Sequence, residues 1–112
     1  MWSMRKPTCD AVCCPPLSRA PLSPRDARSL AAAFCVVADP ARLRLLSLIQ
    51  AGPGGEACVC RLTGPLRLSQ PTVSHHLSVL HRAGLVTRER RGVWAWYRVV
   101  PQALAPLRDA LA

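Results

Sequence analysis

Cysteines are the residues of this chain most able to do chemistry. Cys58 and Cys60 stand one residue apart, and Cys13 and Cys14 are adjacent in the stretch "TCDAVCC". Clustered thiolates prefer soft ions such as As(III), Cd(II), Pb(II) and Cu(I) over Mg²⁺ or Ca²⁺. A polar, proline-containing segment has no packing reason to hold two adjacent cysteines. We therefore interpret these four residues as ligands of a soft metal or metalloid ion.

The stretch "EACVCRL" sets a geometric condition on two of these ligands. We predict a short helix from about Glu56 to Pro65, and residues i and i+2 of an ideal helix sit roughly 200° apart. Either the first turn is unwound, or only one of Cys58 and Cys60 binds the ion. Arg61 and the positive end of the helix are expected to lower the thiol pKa.

The other chemical groups carry weaker signals. Cys35 lies along a predicted buried helix face and is expected to pack as a small hydrophobe. Nothing in the sequence resembles a nucleophile with its base, a phosphate-binding loop or a pair of catalytic carboxylates, so we do not expect an enzyme.

Composition bounds the partners and the compartment. The chain has 112 residues, with 15 Lys+Arg against 6 Asp+Glu and a net charge of +9, which favours a polyanionic partner. No apolar run reaches the length of a membrane span, and the first 30 residues lack the apolar stretch of a signal peptide. We therefore predict a cytoplasmic protein without a membrane partner, whose cysteines stay mostly reduced.

The chain divides into a flexible Pro/Cys-rich N-terminal arm, residues 1–23, and one domain, residues 24–112. Ser23 and Asp39 each precede a proline and are predicted to cap the first two helices. The apolar faces expected of these helices are Leu30, Phe34 and Val37 in the first, and Leu43, Leu46 and Ile49 in the second.

The segment "RLSQPTVSHHLSVLHRAGL" predicts the second helix of a helix-turn-helix. Ser69 is its expected cap, Gly84 its expected end, and Val73, Leu77 and Leu80 its buried face. "LVTRERRGVWAWYRVV" then alternates with period two and is broken at Arg91-Gly92, which predicts a hairpin before a last short helix. The predicted fold class is mostly α with a small β-hairpin, a winged helix-turn-helix.

This fold class predicts double-stranded DNA as the polyanionic partner. The wing arginines are expected to contact phosphate or the minor groove, and the helix residues to contact base edges and nearby phosphates. His76 is expected to pack or hydrogen-bond locally, and the aromatic residues of the hairpin to support the core and a dimer. The predicted DNA-contacting residues are Ser69, Gln70, Thr72, Ser74 and His75 on the helix, and Arg88, Arg90 and Arg91 on the wing.

The ordered motifs resemble a known family. "LSQPTVSHHLSVLHRAGLV", followed by "RRGVWAWYRV" and preceded by "ADPARLRLLSLI", is similar to the ArsR/SmtB metal-sensing repressors over about residues 22–111. The resemblance implies a homodimer built on the first and last helices, an apo form that binds operator DNA and a metal-bound form that releases it. "EACVCRL" resembles the sensing box of the family, which more often has Asp at the position of Arg61.

The resemblance also implies two ligand sets. The vicinal pair Cys13-Cys14 resembles arsenite-sensing members, whereas Cys9 and Cys13 have the Cys-x-x-x-Cys spacing of cadmium- and lead-sensing members. We expect a repressor released when As(III) binds Cys13, Cys14, Cys58 and Cys60 or a subset of them. The alternatives are a Cd(II)/Pb(II)-responsive repressor with a four-cysteine site that includes Cys9, a thiol redox switch on the same scaffold, and a small zinc-stabilised interaction module.

Overall fold

Residues 21–111, which a computed structural model describes, form five α-helices and a three-stranded antiparallel sheet of order β1-β3-β2. Single turns of 3₁₀ helix flank β1 at Pro53–Gly55 and Val59–Arg61. The elements are α1 (Pro24–Val37), α2 (Pro40–Ala51), β1 (Glu56–Cys58), α3 (Thr63–Leu66), α4 (Gln70–Arg82), β2 (Val86–Arg91), β3 (Trp94–Val99) and α5 (Pro101–Ala110).

The three long helices before the hairpin begin at their predicted caps. The Ser23 hydroxyl accepts the Asp26 N–H at 3.1 Å, and an Asp39 carboxylate oxygen accepts the Ala41 N–H at 2.9 Å. Ser69 Oγ accepts the Thr72 N–H at 3.4 Å. Each side chain supplies a partner to a helix N–H that has none within the helix, and a proline occupies the first or second helical position.

The main core lies between α2, α4 and the sheet. Val73, Leu77 and Leu80 are fully buried, which confirms the predicted inner face of α4. The predicted face of α2 was wrong at Leu43, which is 53% exposed, whereas Leu45 is fully buried. Leucines recur so closely in "RLRLLSL" that helical spacing alone does not select the inner ones; packing against α4 and the sheet selects them.

A second, smaller cluster joins the two terminal helices of the described region. Leu30 and Ala33 of α1 pack with Leu107 and Ala110 of α5. Leu22, which we had assigned to the arm, also packs against this cluster, whereas Leu111 is 64% exposed. The two helices expected to build a dimer interface therefore lie side by side. The arm itself, as far as residue 20, lies outside the described residues.

The hairpin turns one residue later than expected. Arg91 still pairs with Trp94, so the two-residue loop is Gly92-Val93. Gly92 has φ +64°, a conformation that costs glycine little because it has no Cβ. In the described part of the chain, no helix is both long and apolar enough to cross a membrane.

Candidate metal centre and nucleic-acid interface

Cys58 and Cys60 lie at the end of a strand, where we had predicted the start of a helix. Residues Glu56–Cys58 form β1, with Cys58 opposite Trp96 of β3. Cys60 follows in a 3₁₀ turn, and α3 begins only at Thr63. The helix prediction failed because hydrogen bonds to β3, a distant part of the chain, hold this segment extended. The 200° separation that an ideal helix would impose on the two cysteines does not apply.

The two thiols are neighbours with unequal access to solvent. The Cys60 backbone N–H donates to Cys58 Sγ at 3.4 Å. The Cys58 side chain is 1% exposed, whereas Cys60 is exposed. Burial raises the pKa of Cys58, and contact with the Cys60 thiol raises it further, while the positive charge of Arg61 opposes this only weakly. Arg61 acts in the predicted direction, but burial outweighs it and no α-helix begins here, so the pKa of Cys58 is raised and Cys58 holds its proton more tightly than a free thiol.

The described residues bring two of the predicted ligands together. Within residues 21–111, no group of three or more His, Cys, Asp or Glu side chains is close enough to hold a metal ion. Cys9, Cys13 and Cys14 lie outside the described residues. A pair of thiols without carboxylate or imidazole neighbours suits a soft, thiophilic ion and needs further ligands to complete the site.

Cys35 differs from its prediction. It is half-buried on α1, but it is disulfide-bonded rather than a thiol that only packs.

The helix α4 presents a polar surface to solvent. Gln70, Thr72 and His75 are exposed, and Ser74 is half-buried. Ser69 Oγ also lies 2.9 Å from Thr72 Oγ1, so the predicted contact residue Ser69 is held in the capping geometry of the helix. Small hydroxyls and an amide on a helix of this kind fit hydrogen-bonding to base edges and phosphates in a major groove.

The wing arginines divide into two kinds. Arg88 and Arg90 are exposed, and neither forms an ion pair with another residue of the described chain. Arg91 instead pairs with Glu56 at 2.8 Å and with Glu89 at 3.0 Å. Its guanidinium carbon also lies 4.9 Å from the centre of the Trp96 ring. The charge of Arg91 is largely compensated, whereas Arg88 and Arg90 remain available to an anion.

The same fold and motifs occur in known proteins. The profile of the family described as "Bacterial regulatory protein, arsR family" matches residues 39–88, from the cap of α2 into β2. The crystal structure of a "possible transcriptional regulator for arsenical resistance" is similar with a TM-score of 0.60 and 42% identity, covering 65% of this chain and 73% of that chain. The chain belongs to the ArsR family. Members of this family are DNA-binding transcriptional regulators rather than enzymes.

Two other ArsR-family comparisons involve proteins named for metalloids. The "arsenic resistance transcriptional regulator ArsR1" of Pseudomonas putida is 45% identical over 69 residues, which cover 62% of this chain. The match spans about half (52%) of that relative's length. The structure of the "AntR antimony-specific transcriptional repressor" gives a TM-score of 0.67 at 28% identity and covers 82% of both chains.

Sequence reasoning missed three residues that position the site in this ArsR-family chain. Glu56 binds both Arg91 and Arg98, which lie on the two strands of the wing. Arg42 contacts His76 on α4 with Nη1 3.2 Å from Nδ1, so the hydrogen bond expected of His76 is made to a residue 34 positions away in the sequence and not locally. Arg67 joins α3 to α4 in a left-handed conformation with φ +54°. No local sequence pattern marks these residues, because their partners lie far away in the chain or their role is conformational.

Proposed function

We propose that the chain is a transcriptional repressor that binds operator DNA as a homodimer in the cytoplasm and releases it when As(III) binds cysteine thiolates. The ligands are drawn from Cys58 and Cys60 together with Cys13 or Cys14 of the arm. The observation that carries the proposal is the hydrogen bond from the Cys60 backbone N–H to Cys58 Sγ, which holds the two cysteines together at the end of β1, in a chain similar to arsenical-resistance regulators.

The exposed polar surface of α4 and the free wing arginines support the DNA-binding half. Gln70, Thr72, Ser74 and His75 face base edges, with Arg88 and Arg90 on the flanking backbone. A net charge of +9 adds attraction that does not depend on base sequence and weakens as salt increases. Arg91 is not assigned a direct contact, because Glu56 already binds it.

The chemistry of trivalent arsenic supports the thiol half. Arsenous acid has three hydroxyl groups, and each As–S bond forms as one hydroxide leaves with the thiol proton as water. Three thiols therefore yield three waters and no net proton change while the thiols are protonated. Cys60 is exposed and meets the ion first, after which the neighbouring Cys58 supplies a second sulfur. The third sulfur comes from Cys13 or Cys14.

The position of the thiols suggests how the ion acts on DNA binding. Cys58 is bonded through β1 to β3 of the wing, and Cys60 lies three residues before α3. Drawing both sulfurs and the arm around one ion changes the segment that connects the wing to the helix-turn-helix. If the ion binds the released form about a hundredfold more tightly, DNA affinity falls by the same factor.

The test is release of fluorescent DNA by arsenite from the reduced, full-length chain. The duplex is one that the chain itself selects from a random pool. We expect arsenite to release wild type, and the double variant Cys58→Ser/Cys60→Ser to bind the duplex but resist release. Cys35→Ser, the matched control at a third cysteine, should be released normally. Release of the double variant at wild-type arsenite concentrations would exclude this site, and failure to select any duplex would exclude DNA binding.

The same assay separates arsenite from cadmium and lead by its pH dependence. A divalent ion must displace thiol protons into solution, so its affinity falls as the pH falls. Arsenous acid removes those protons as water, so its affinity should change little between about pH 6 and 8. A strong pH dependence with tighter cadmium binding would favour the four-cysteine site that includes Cys9.

A thiol redox switch is a second candidate because Cys35 is disulfide-bonded. It predicts release of the duplex by a mild oxidant without any added ion, and rebinding on addition of a thiol reductant alone. Arsenite would then have no effect on the fully reduced chain.

A further inference from the structure

The guanidinium of Arg42 joins three helices at one point. It belongs to the first turn of α2, and its Nε donates to the carbonyl oxygen of Val36. Nη2 donates to the carbonyl oxygen of Cys35 at 3.3 Å. Nη1 lies 3.2 Å from His76 Nδ1 on α4. One rigid, planar group with several donors can make all three contacts, whereas the single ammonium of a lysine cannot.

The contacts with α1 satisfy the end of that helix. Carbonyl groups in the last turn of a helix have no partner within the helix and carry partial negative charge. The last turn of α1 contains no basic residue of its own. Arg42 therefore supplies both the hydrogen bonds and the positive charge that the C-terminus of α1 requires.

The contact with α4 assigns the roles of the two ring nitrogens of His76. Arginine only donates hydrogen bonds, so His76 Nδ1 must accept, and a neutral ring then carries its proton on Nε2. A proton added to Nδ1 would remove the acceptor and place a second positive charge against the guanidinium. The link between α2 and α4 therefore requires a neutral His76.

Two charged groups of α2 and its cap interact with this histidine. The Arg42 side chain, which also binds the carbonyl oxygens of α1, contacts it from α2, and Asp39 interacts with it electrostatically. On its own helix, the His75 ring lies 5.6 Å away, centre to centre. Asp39 also accepts hydrogen bonds from the backbone N–H groups of Ala41 and Arg42. Its carboxylate therefore caps α2 and forms no ion pair with His76.

We propose that Arg42 and His76 are positioning residues that make the DNA-reading helix α4 follow the orientation of α1. This inference rests on the proposed DNA-binding function. Through this link, a rearrangement of α1 against a second subunit turns α4 with it. Acidification that protonates His76 uncouples the two helices and weakens binding to the selected duplex.

The test compares DNA affinity across pH for variants that keep or remove the acceptor. His76→Asn retains an oxygen near the position of Nδ1, whereas His76→Leu removes it. Arg42→Lys retains the charge without the planar donor set. His81→Leu, at an exposed histidine of the same helix, is the matched control. At about pH 7.5 we expect wild type, His76→Asn and His81→Leu to agree within about twofold, and the other two to bind about tenfold more weakly.

The pH profile distinguishes this link from a general structural effect. Added positive charge on the exposed face of α4 strengthens DNA binding, so a loss of affinity on acidification must come from elsewhere. We expect that loss in wild type and not in His76→Asn. Equal affinities of His76→Leu and His76→Asn, or the same acid loss in both wild type and His76→Asn, would overturn the proposal.

Hydrogen exchange tests the same link without DNA. In Arg42→Lys, we expect faster exchange at both the last turn of α1 and the amides of α4, with unchanged exchange in β2 and β3. Unchanged exchange in α4 would overturn the link. If wild type selects no duplex, the DNA-binding function is excluded, while the exchange result still decides whether Arg42 couples the two helices.

Discussion

The carboxylate of Glu56 and the guanidinium of Arg91 form a two-pronged ion pair, with both nitrogen–oxygen distances 2.8 Å, although strand β3 separates their strands. Arg91 reaches over the Trp96 ring of β3 to make it. Strand β1, which carries Cys58, is therefore joined to the wing in two ways: by its pairing with β3 and by the ion pair between Glu56 and Arg91.

Replacing Glu56 removes the two-pronged partner of Arg91 and leaves Glu89 as its ion partner within residues 21–111, which should make Arg91 more available to DNA. We expect Glu56→Gln to steepen the dependence of log affinity on log salt by about one unit for duplexes of random sequence. Asp109→Asn is the matched control, because Asp109 pairs with the exposed Arg108 of α5. Filter binding or anisotropy at several salt concentrations measures the slope. An unchanged slope would mean that Glu56 does not keep Arg91 from DNA.

The same pair should contribute stability that disappears in acid. Hydrogen bonds from Arg91 lower the pKa of Glu56 below its usual 4.5, and the positive charges of Arg91 and Arg98 contribute in the same direction. Because the folded carboxyl binds its proton less tightly than the unfolded one, this stabilisation is present at neutral pH. It is lost as the pH falls through the lowered pKa.

Thermal unfolding of wild type and Glu56→Gln across pH measures this contribution. We expect wild type to melt at the higher temperature at neutral pH, and the two melting temperatures to converge as the pH falls below 4.5 and through the lowered pKa of Glu56. If the difference in melting temperature between wild type and Glu56→Gln stayed the same down to the lowest pH, the stability lost in the variant would not come from the charge of Glu56.

Replacing Cys58 and replacing Cys60 should change the free energy of unfolding by different amounts. Cys58 is 1% exposed, so Cys58→Ser buries a hydroxyl in place of a thiol and should lower the free energy of unfolding by about 1–2 kcal/mol. Cys60 is exposed, and Cys60→Ser should change the same quantity by less than about 0.5 kcal/mol. Urea unfolding of the reduced protein measures both. Equal costs would contradict the asymmetry of the pair.

The left-handed conformation of Arg67 predicts a stabilising substitution. A residue with a Cβ at φ +54° carries a strain on the order of 1 kcal/mol, which glycine relieves. We expect Arg67→Gly to raise the free energy of unfolding by up to about 1 kcal/mol. Arg67→Ala removes the same side chain but keeps the Cβ, so it should give no such gain. If the alanine variant gained as much, the arginine side chain rather than its backbone would be responsible.

Features set by neighbouring residues were predictable from the sequence. Ser23, Asp39 and Ser69 each combine a capping side chain with a following proline, and all three helices begin there. The inner face of α4 followed in the same way from the spacing of Val73, Leu77 and Leu80. These signals come from residues close together in the sequence, and the tertiary contacts of the fold do not change the structure that they favour.

Features set by distant partners were not predictable. Residues Glu56–Cys58 are too few to show an alternating pattern, and they become a strand only because β3 offers them hydrogen bonds. Arg91 looked like its neighbours in "RERRG", and its pairing with Glu56 is visible only once the sheet is formed. The sequence was enough to propose Cys58 and Cys60 as metal ligands. It did not show that Cys58 is buried and Cys60 exposed, because that difference depends on the pairing of β1 with β3.

The pairing of β1 with β3 has a consequence for the newly made chain on the ribosome. Synthesis proceeds from the N-terminus, so Cys58 emerges well before Trp96, the residue opposite it. Until β3 has emerged and paired with β1, the strand opposite Cys58 is missing, so the thiol is less buried than in the folded protein and reacts more readily. Each molecule therefore passes through a brief period in which alkylating agents and oxidants reach Cys58 more readily than in the folded protein, and completion of the hairpin ends that period.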